Sequence, residues 1–451
     1  MKKLLPIIIL LVVLVSCQKQ NDGLIEQSSL PARNYSGKFV RDYFTLMCKI
    51  SKTTPGFFPP QVARAYGYVG LANYEAVVPG IRNSYTLAGQ INGLKQYRFP
   101  VPVNEYEYDW SIASNAAMSD MIRKMFEIKI SAANLASIDS AENVNLAIMS
   151  QGRKADVIKR SVEFGKSIAA TIYNYSLDDG CHHAYLDPFQ LPYTMPPDPG
   201  CWVPTGALLT PISPYWGNSR PFLEQSVTVT QQYVPVPFST SPTSDFYKQA
   251  LAVYNQVKFG NTPEKITIAK YWSDDPFNTC TPTGHTFNIM SQLLLENNAT
   301  LEKTSVAYAK LSVAEMDAFI SCWKLKYKYL LMRPVTYIKQ NIDNTFTTVL
   351  GSPAFPAFTS GHSCEMGAGA QIFNEMFTDG SGNYKFTDYS QVQYGFAPRS
   401  YTNFNAMADE CANSRLYGGI HYPMDNILGL EQGKKIGDNV NQLISWPQNT
   451  R

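Results

Sequence analysis

NSRLYGGIHYPMDNILG, residues 413–429, is the stretch from which the rest of this chain is best read. Arg415 lies six residues before His421, and the Gly418 and Gly419 pair lets the chain fold closely between them. Asp425 follows the histidine by four, across a helix expected to start at Pro423. A carboxylate that accepts the N–H of an imidazole fixes its tautomer and raises the basicity of the other ring nitrogen, which leaves a nucleophile or a metal-ligand nitrogen. Taken alone, the same pattern also describes a helix-start histidine paired with an aspartate for stability.

Two further segments point the same way. In PAFPAFTSGHSCEMGAGAQIFNEMF, residues 353–377, a Pro- and aromatic-rich loop runs through Ser360, Gly361 and His362 into an apolar-periodic helix. The start of that helix offers free N–H groups, a serine hydroxyl and the positive end of a dipole to an anion, and Gly361 allows close backbone approach. In WKLKYKYLLMRPVTY, residues 323–337, Lys326 and Arg333 are seven apart. That spacing predicts both cationic heads on one helix face before Pro334 ends the helix. On its own it describes an ordinary solvated face. Together, one lysine, two arginines, a helix-start serine and two histidines form what a phosphate-shaped anion needs: several equatorial donors, an axial nucleophile and an axial acid. The three remaining histidines form no comparable group.

Composition bounds the rest. The 451 residues are 45% hydrophobic and 16% charged, a well-buried globular composition. With 38 basic against 36 acidic residues and no long single-sign run, neither a nucleic-acid surface nor a polybasic membrane segment is indicated. The N-terminus, MKKLLPIIILLVVLVSCQKQ, reads as an export signal over residues 1–16, too short for an ordinary membrane span. LVSC resembles a bacterial lipobox, which makes Cys17 the expected lipidation site and the N-terminal lipid the only membrane attachment, with the outer membrane the expected address. The seven other cysteines form no CxxC pair, so a zinc site is not expected. Cys181 and Cys201 flank a Pro-rich stretch and form the one pair worth testing as a disulfide, the others being expected as buried thiols.

Residues 17–34 read as a polar tether, residues 35–243 as an N-terminal helical region, and residues 244–451 as a C-terminal helical region carrying the site. Helical periodicity is clear in 62–78, 111–126 and 155–175. Residues 179–243 are rich in Pro, Gly and aromatic residues and lack any period, which predicts a long ordered excursion over the helices. Thr262 before Pro263 is a helix-start signal. No repeat is visible and alternating strand patterns are rare, so the expected fold class is all-α, a helical bundle with an irregular excursion.

The three segments resemble the motifs K(x6)RP, PSGH and SR(x5)H(x3)D of the type 2 phosphatidic acid phosphatase and vanadium haloperoxidase superfamily. The first and third match in full, and Thr359 stands where the second usually has Pro. The resemblance implies that Lys326, Arg333, Ser360, the Gly361 amide and Arg415 bind equatorial oxygens of vanadate or phosphate. It makes His421 the axial residue, bonding vanadium or attacking phosphorus, with Asp425 orienting it and His362 the acid–base partner on the opposite face. Trp323 and Phe355 look like parts of a chloroperoxidase-type site. YWSDDPFNTCTPTGH, residues 271–285, resembles a haloperoxidase stretch that supports the site arginines, with Asp275 the best candidate.

The implied activity is a vanadium-dependent haloperoxidase that oxidises halide with hydrogen peroxide to hypohalous acid, vanadate being the cofactor. The alternative is a soluble acid phosphatase that hydrolyses a phosphomonoester through a phospho-histidine and needs no cofactor. A surface-anchored binding protein with a vestigial site is the reading from a different class. No apolar run of about 18 residues follows residue 16, which speaks against an integral lipid phosphatase.

Overall fold

The computed structural model describes residues 29–206 and 208–447, so the expected signal segment, Cys17 and residues 18–28 of the expected tether lie outside the described residues. Chain packing begins earlier than the composition suggests. Ser29 and Ala32 are buried, and the Ser29 hydroxyl accepts the Tyr108 amide at 2.8 Å. The tether expected to reach residue 34 therefore ends by residue 29, because short polar residues can cap and fill as well as span.

Among the described residues the fold is helical, with one two-stranded antiparallel ribbon, β1 (Phe386–Asp388) and β2 (Arg399–Tyr401). The N-terminal half supplies α1 (Lys38–Thr53), α2 (Pro59–Val77), α3 (Trp110–Phe126), α4 (Ala132–Met149) and α5 (Ala155–Leu177). A short α6 (Glu224–Thr228) interrupts the excursion. Then come α7 (Asp245–Asn255), α8 (Pro263–Tyr271), α9 (Thr281–Glu296), α10 (Leu301–Tyr329) and α11 (Pro334–Asn341). The chain closes with α12 (Gly361–Phe377), α13 (Phe404–Tyr417) and α14 (Pro423–Leu443). Helix starts follow the expected chemistry: Thr262 and Ser360 accept the amides of Lys265 and Ser363, and Pro263 and Pro423 open their helices. None of the helices is long and apolar enough to cross a membrane among the described residues.

The pillar of the fold is α10, buried on nearly every face from Leu301 to Lys326. A helix without a polar face belongs in the middle of a domain, and α10 packs on α2 along one flank and on α12 and α14 along another. A single apolar core accordingly runs from Phe39 in α1 to Val440 in α14. Cys48 of α1 is bridged to Cys280 at the start of α9, whereas Cys181 and Cys201, the pair singled out from sequence, are both free thiols. The bridge joins elements 232 residues apart that meet only in the fold, which local composition does not reveal.

The excursion is ordered because the core supplies partners for its backbone. Buried Asp317 of α10 accepts the amides of Phe222 and Leu223 at 2.7 and 2.9 Å. Trp323 Nε1 and the Tyr327 hydroxyl both donate to the Ile212 carbonyl, and the Trp202 amide donates to the carbonyl of Leu330. The segment therefore lies across the C-terminal end of α10.

Three glycines set the last packing step. Gly429, Gly433 and Gly437 recur every fourth residue of α14 and face α12. A Cβ on Gly433 would sit 1.9 Å from the Cys364 carbonyl oxygen, and one on Gly437 would sit 2.7 Å from that of Ala368. One on Gly429 would sit 2.9 Å from the Ser360 carbonyl oxygen. The order of these contacts makes the two helices parallel, with both N-termini at the same end. Gly433→Ala should cost about 1–3 kcal/mol or more, since backbone and not a flexible side chain must yield. Urea denaturation of the variant checks this, and an unchanged midpoint would mean that the seam is slack.

Candidate oxyanion site

Three helix starts and one helix end converge at this point. Ser360 caps α12, Tyr422 caps α14 and Arg333 caps α11, while Arg415 sits in the last turn of α13. Lys326 and Arg333 do not share a helix face as the spacing suggested. α10 ends at Tyr329, Leu330 takes a left-handed conformation with φ 52°, and Arg333 lies beyond the turn. Pro334 opens α11 instead of ending α10. The two cations meet because the chain reverses between them.

His421 is buried, and its Nδ1–H donates to Asp425 Oδ2 at 3.0 Å; the same oxygen accepts the Tyr422 amide, also at 3.0 Å. This fixes the imidazole with its Nε2 lone pair facing the cations, where Arg333 NH1 donates to it at 3.0 Å. Burial, reinforced by Arg333, Lys326 and Arg415, holds the His421 pKa well below the ordinary histidine range, so the ring is neutral and its Nε2 lone pair is the acceptor that Arg333 faces. Burial pushes Asp425 up, against the opposing pull of the Tyr422 amide, Lys326 and Arg333.

The cations are held by backbone oxygens. Lys326 Nζ donates to the carbonyls of Pro356, Ala357 and Thr359 at 2.9, 3.0 and 2.6 Å. Arg333 donates from Nε to Phe355 and from NH1 to Ile420, and Arg415 NH1 donates to Trp272. Phe355 and Trp323 pack tilted at 4.9 Å, and Lys326 Nζ lies 5.1 Å from the Phe355 ring centre and 5.7 Å from that of Trp323. Thr359, where the motif usually has Pro, keeps its carbonyl on Lys326 and spends its hydroxyl on Gln432 Oε1 at 2.6 Å.

All three cations are buried, at 0% exposure for Lys326 and Arg333 and 3% for Arg415. Asp425 acts on Lys326 and Arg333, and Asp275 and Asp274 act on Arg415, but among the described residues no carboxylate forms an ion pair with any of the three. Burial pulls the Lys326, Arg333 and Arg415 pKa values down. A guanidinium does not release its proton in a protein, so that pressure becomes affinity for an anion. Two donors to receive one are free, Arg333 NH2 and Arg415 Nε, both buried without partners; His362 Nε2 beside them is a buried, unpartnered acceptor, since the other ring nitrogen donates to Ser273. The Ser360 hydroxyl accepts from Ser363 and keeps its own proton to donate. A Cβ at Gly361 would meet only Trp323, at 3.6 Å, so space remains beside that amide. A tetrahedral oxyanion such as vanadate or phosphate fits this donor set.

His362 sits at the start of α12 and is half-buried, its backbone partner being Ser273. Burial first, then Arg415, keeps its pKa well below the ordinary range. Asp275 is at the rim: its side chain is exposed and reaches Arg415 through its charge, without an ion pair. The carboxylate built into this region is the neighbouring Asp274. His285 donates from Nδ1 to Asp274 at 2.9 Å and from Nε2 to Asp388 at 3.0 Å, and stacks on Trp272 at 4.5 Å. This buried triad braces the segment whose Trp272 carbonyl holds Arg415. Sequence reading missed it because Asp388 lies 103 residues beyond His285 and comes alongside only through the fold.

The family model for the VCPO second helical-bundle domain matches residues 306–448, which contain all three motif segments. A crystal structure of the first bacterial vanadium-dependent iodoperoxidase is similar with a TM-score of 0.83 and 31% identity, over 93% of this chain and 99% of that one. A holo-type bacterial vanadium-dependent chloroperoxidase matches with TM-score 0.64 and 14% identity over 88% and 95% of the two chains. Its apo-type counterpart gives 0.63 and 16% over 84% and 92%. These two share the fold. Among curated proteins no match was found. Fold and similarity together define a helical, haloperoxidase-like enzyme. The chain belongs to the vanadium-dependent haloperoxidase family.

Two measurements probe this geometry. Asp425→Asn should weaken vanadate binding about 10–100-fold, since it removes the partner that orients His421; calorimetric titration with vanadate reads this, and unchanged affinity would remove Asp425 from the site. For His285, burial opposes the charged form but Asp274 and Asp388 outweigh it and push its pKa up to about 10. The stabilisation from a raised histidine pKa is full below the unfolded value near 6.5 and is lost as pH rises toward 10. The stability advantage of wild type over His285→Gln should therefore shrink between pH 6.5 and 10 in urea titrations. An advantage that stays flat would mean His285 is neutral throughout.

Proposed function

We propose that this protein is a vanadium-dependent haloperoxidase that holds vanadate at His421 and oxidises halide with hydrogen peroxide. The observation that carries the reading is the group of three buried cations around a carboxylate-backed imidazole whose Nε2 faces Arg333. Iodide is the first halide to test, because the relative 31% identical to this chain is an iodoperoxidase; Phe355 and Trp323 had suggested a chloroperoxidase-type wall.

In this reading Lys326, Arg333, Ser360, the Gly361 amide and Arg415 would hold the oxygens of the anion. His421 would bind it through Nε2, and Asp425 keeps the proton on the far nitrogen. Bound vanadate supplies Lewis acidity toward hydrogen peroxide, without changing its own oxidation state. His362 Nε2, neutral and without a partner, takes up or returns the proton that peroxide activation moves. Lys326, with its charge in an aromatic-walled dry pocket, strengthens the local field where negative charge develops. The same cage is shaped for phosphate, which makes phosphomonoester hydrolysis the reading to set beside it. Export, lipidation at Cys17 and an outer-membrane address belong to the proposal too, and rest on the N-terminal sequence alone.

The deciding experiment compares vanadate-dependent triiodide formation from iodide and peroxide with nitrophenyl phosphate hydrolysis without vanadate. Halogenation that requires vanadate supports the proposal; phosphate release inhibited by vanadate, with no halogenation, replaces it. Among variants, His421→Ala should abolish vanadate binding and turnover. His362→Ala should keep vanadate affinity within a few-fold while turnover falls by about 10²–10⁴. Wild-type turnover in either variant would remove the assigned role.

A further inference from the structure

The histidines at 182 and 183 stand apart from the oxyanion pocket and are unused by it. They open the excursion just after α5, next to the carboxylate of Glu127, the residue that follows α3. One nitrogen of each imidazole and an oxygen of Glu127 all lie within 4.8 Å of one another. We propose that Glu127, His182 and His183 bind a divalent cation of the zinc class, which clamps the root of the excursion to the α3–α5 pair.

The local geometry favours a cation over a simple ion pair. His183 has φ 57°, a left-handed conformation that turns its ring back onto that of His182, so the two imidazoles stack at 3.7 Å. Adjacent histidines in extended backbone would point apart. His183 Nε2 shares a proton with Glu127 Oε1 at 2.6 Å, and a metal ion would take that proton's place. The Tyr173 hydroxyl donates to the same Glu127 oxygen at 2.8 Å and would serve as the outer support that fixes a ligating carboxylate. His182 Nδ1 is buried without a partner, so this imidazole is not committed at that nitrogen. Two imidazoles and one carboxylate are the ligand set of open zinc sites, with water in the fourth position. Tetrahedral zinc needs ligand atoms about 3.3 Å apart, given bonds near 2.0–2.2 Å. With Glu127 exposed and both histidines half-buried, small rotamer changes would close that gap. Nearby positive charge is already engaged: Arg64 is paired with Asp179 at 2.6 Å, and Lys129 donates to the carbonyls of Tyr185 and Leu186.

The place of the cluster gives the clamp a purpose. From His183 the chain runs to Phe189 and Ile212, which pack with Ala354 and Phe355 above the oxyanion site. A cation here would stiffen the near end of that cover without touching the reacting groups.

The test uses the full chain, stripped with chelator and dialysed against zinc chloride, with metal content, calorimetric titration and hydrogen exchange of residues 178–215 as readouts. One equivalent of zinc, an affinity falling at least tenfold in both His182→Gln and His183→Gln, and slower exchange in this segment on loading are expected. No stoichiometric binding, or binding unchanged in both variants, would overturn the site. Binding lost in the variants but without slower exchange would overturn the clamp. Because these readouts involve neither vanadate nor halide, they fail or succeed independently of the haloperoxidase reading.

Discussion

Three like charges share one dry pocket, and much of the architecture around it exists to make that tolerable. Without water, each cation must find oxygen elsewhere, and each does so on carbonyls: Lys326 on the 356–359 loop, Arg333 on Phe355 and Ile420, Arg415 on Trp272. Neutral carbonyls solvate a cation without cancelling it. Each of those loops needs its own buttress. The excursion supplies one through the Ile212 amide on the Ala354 carbonyl, and the His285 triad supplies another under Trp272. A long stretch with no secondary structure of its own is therefore as much a part of the site as the helices.

The seam between α12 and α14 fixes the direction of the field. Glycines bring the two backbones close and parallel, so two positive helix ends face the same point as the three cations. α13 arrives with its opposite end, and Arg415 in its last turn offsets the negative pole there. Side-chain charge and backbone dipole thus add instead of competing.

How much of this was legible in the sequence follows from how local each feature is. Capped helix starts at Ser360 and Thr262 and the proline start at Pro423 are set by neighbours within four residues, and they stand where the sequence places them. The histidine–aspartate pair four apart is equally local. The relation of Lys326 to Arg333 was misread because spacing alone cannot tell a continuous helix from one that ends at a left-handed leucine. Leucine gives no warning of that conformation, which glycine or asparagine would have given. The Cys48–Cys280 bridge, the roles of Asp274 and Asp388, and the meeting of Glu127 with His182 and His183 depend on segments far apart in the chain. Single-sequence reasoning has no access to them: it picked out Asp275, whose charge acts on Arg415, but not the pairing of the neighbouring Asp274 with His285.

Lys326 carries a consequence beyond its charge. An ammonium has three protons to donate, and here all three are committed to the carbonyls of Pro356, Ala357 and Thr359. An oxygen arriving at the ammonium would have to share or displace one of them. In the proposed reading, filling the site would therefore draw on the grip of the lysine on the segment that leads directly into Ser360, Gly361 and His362.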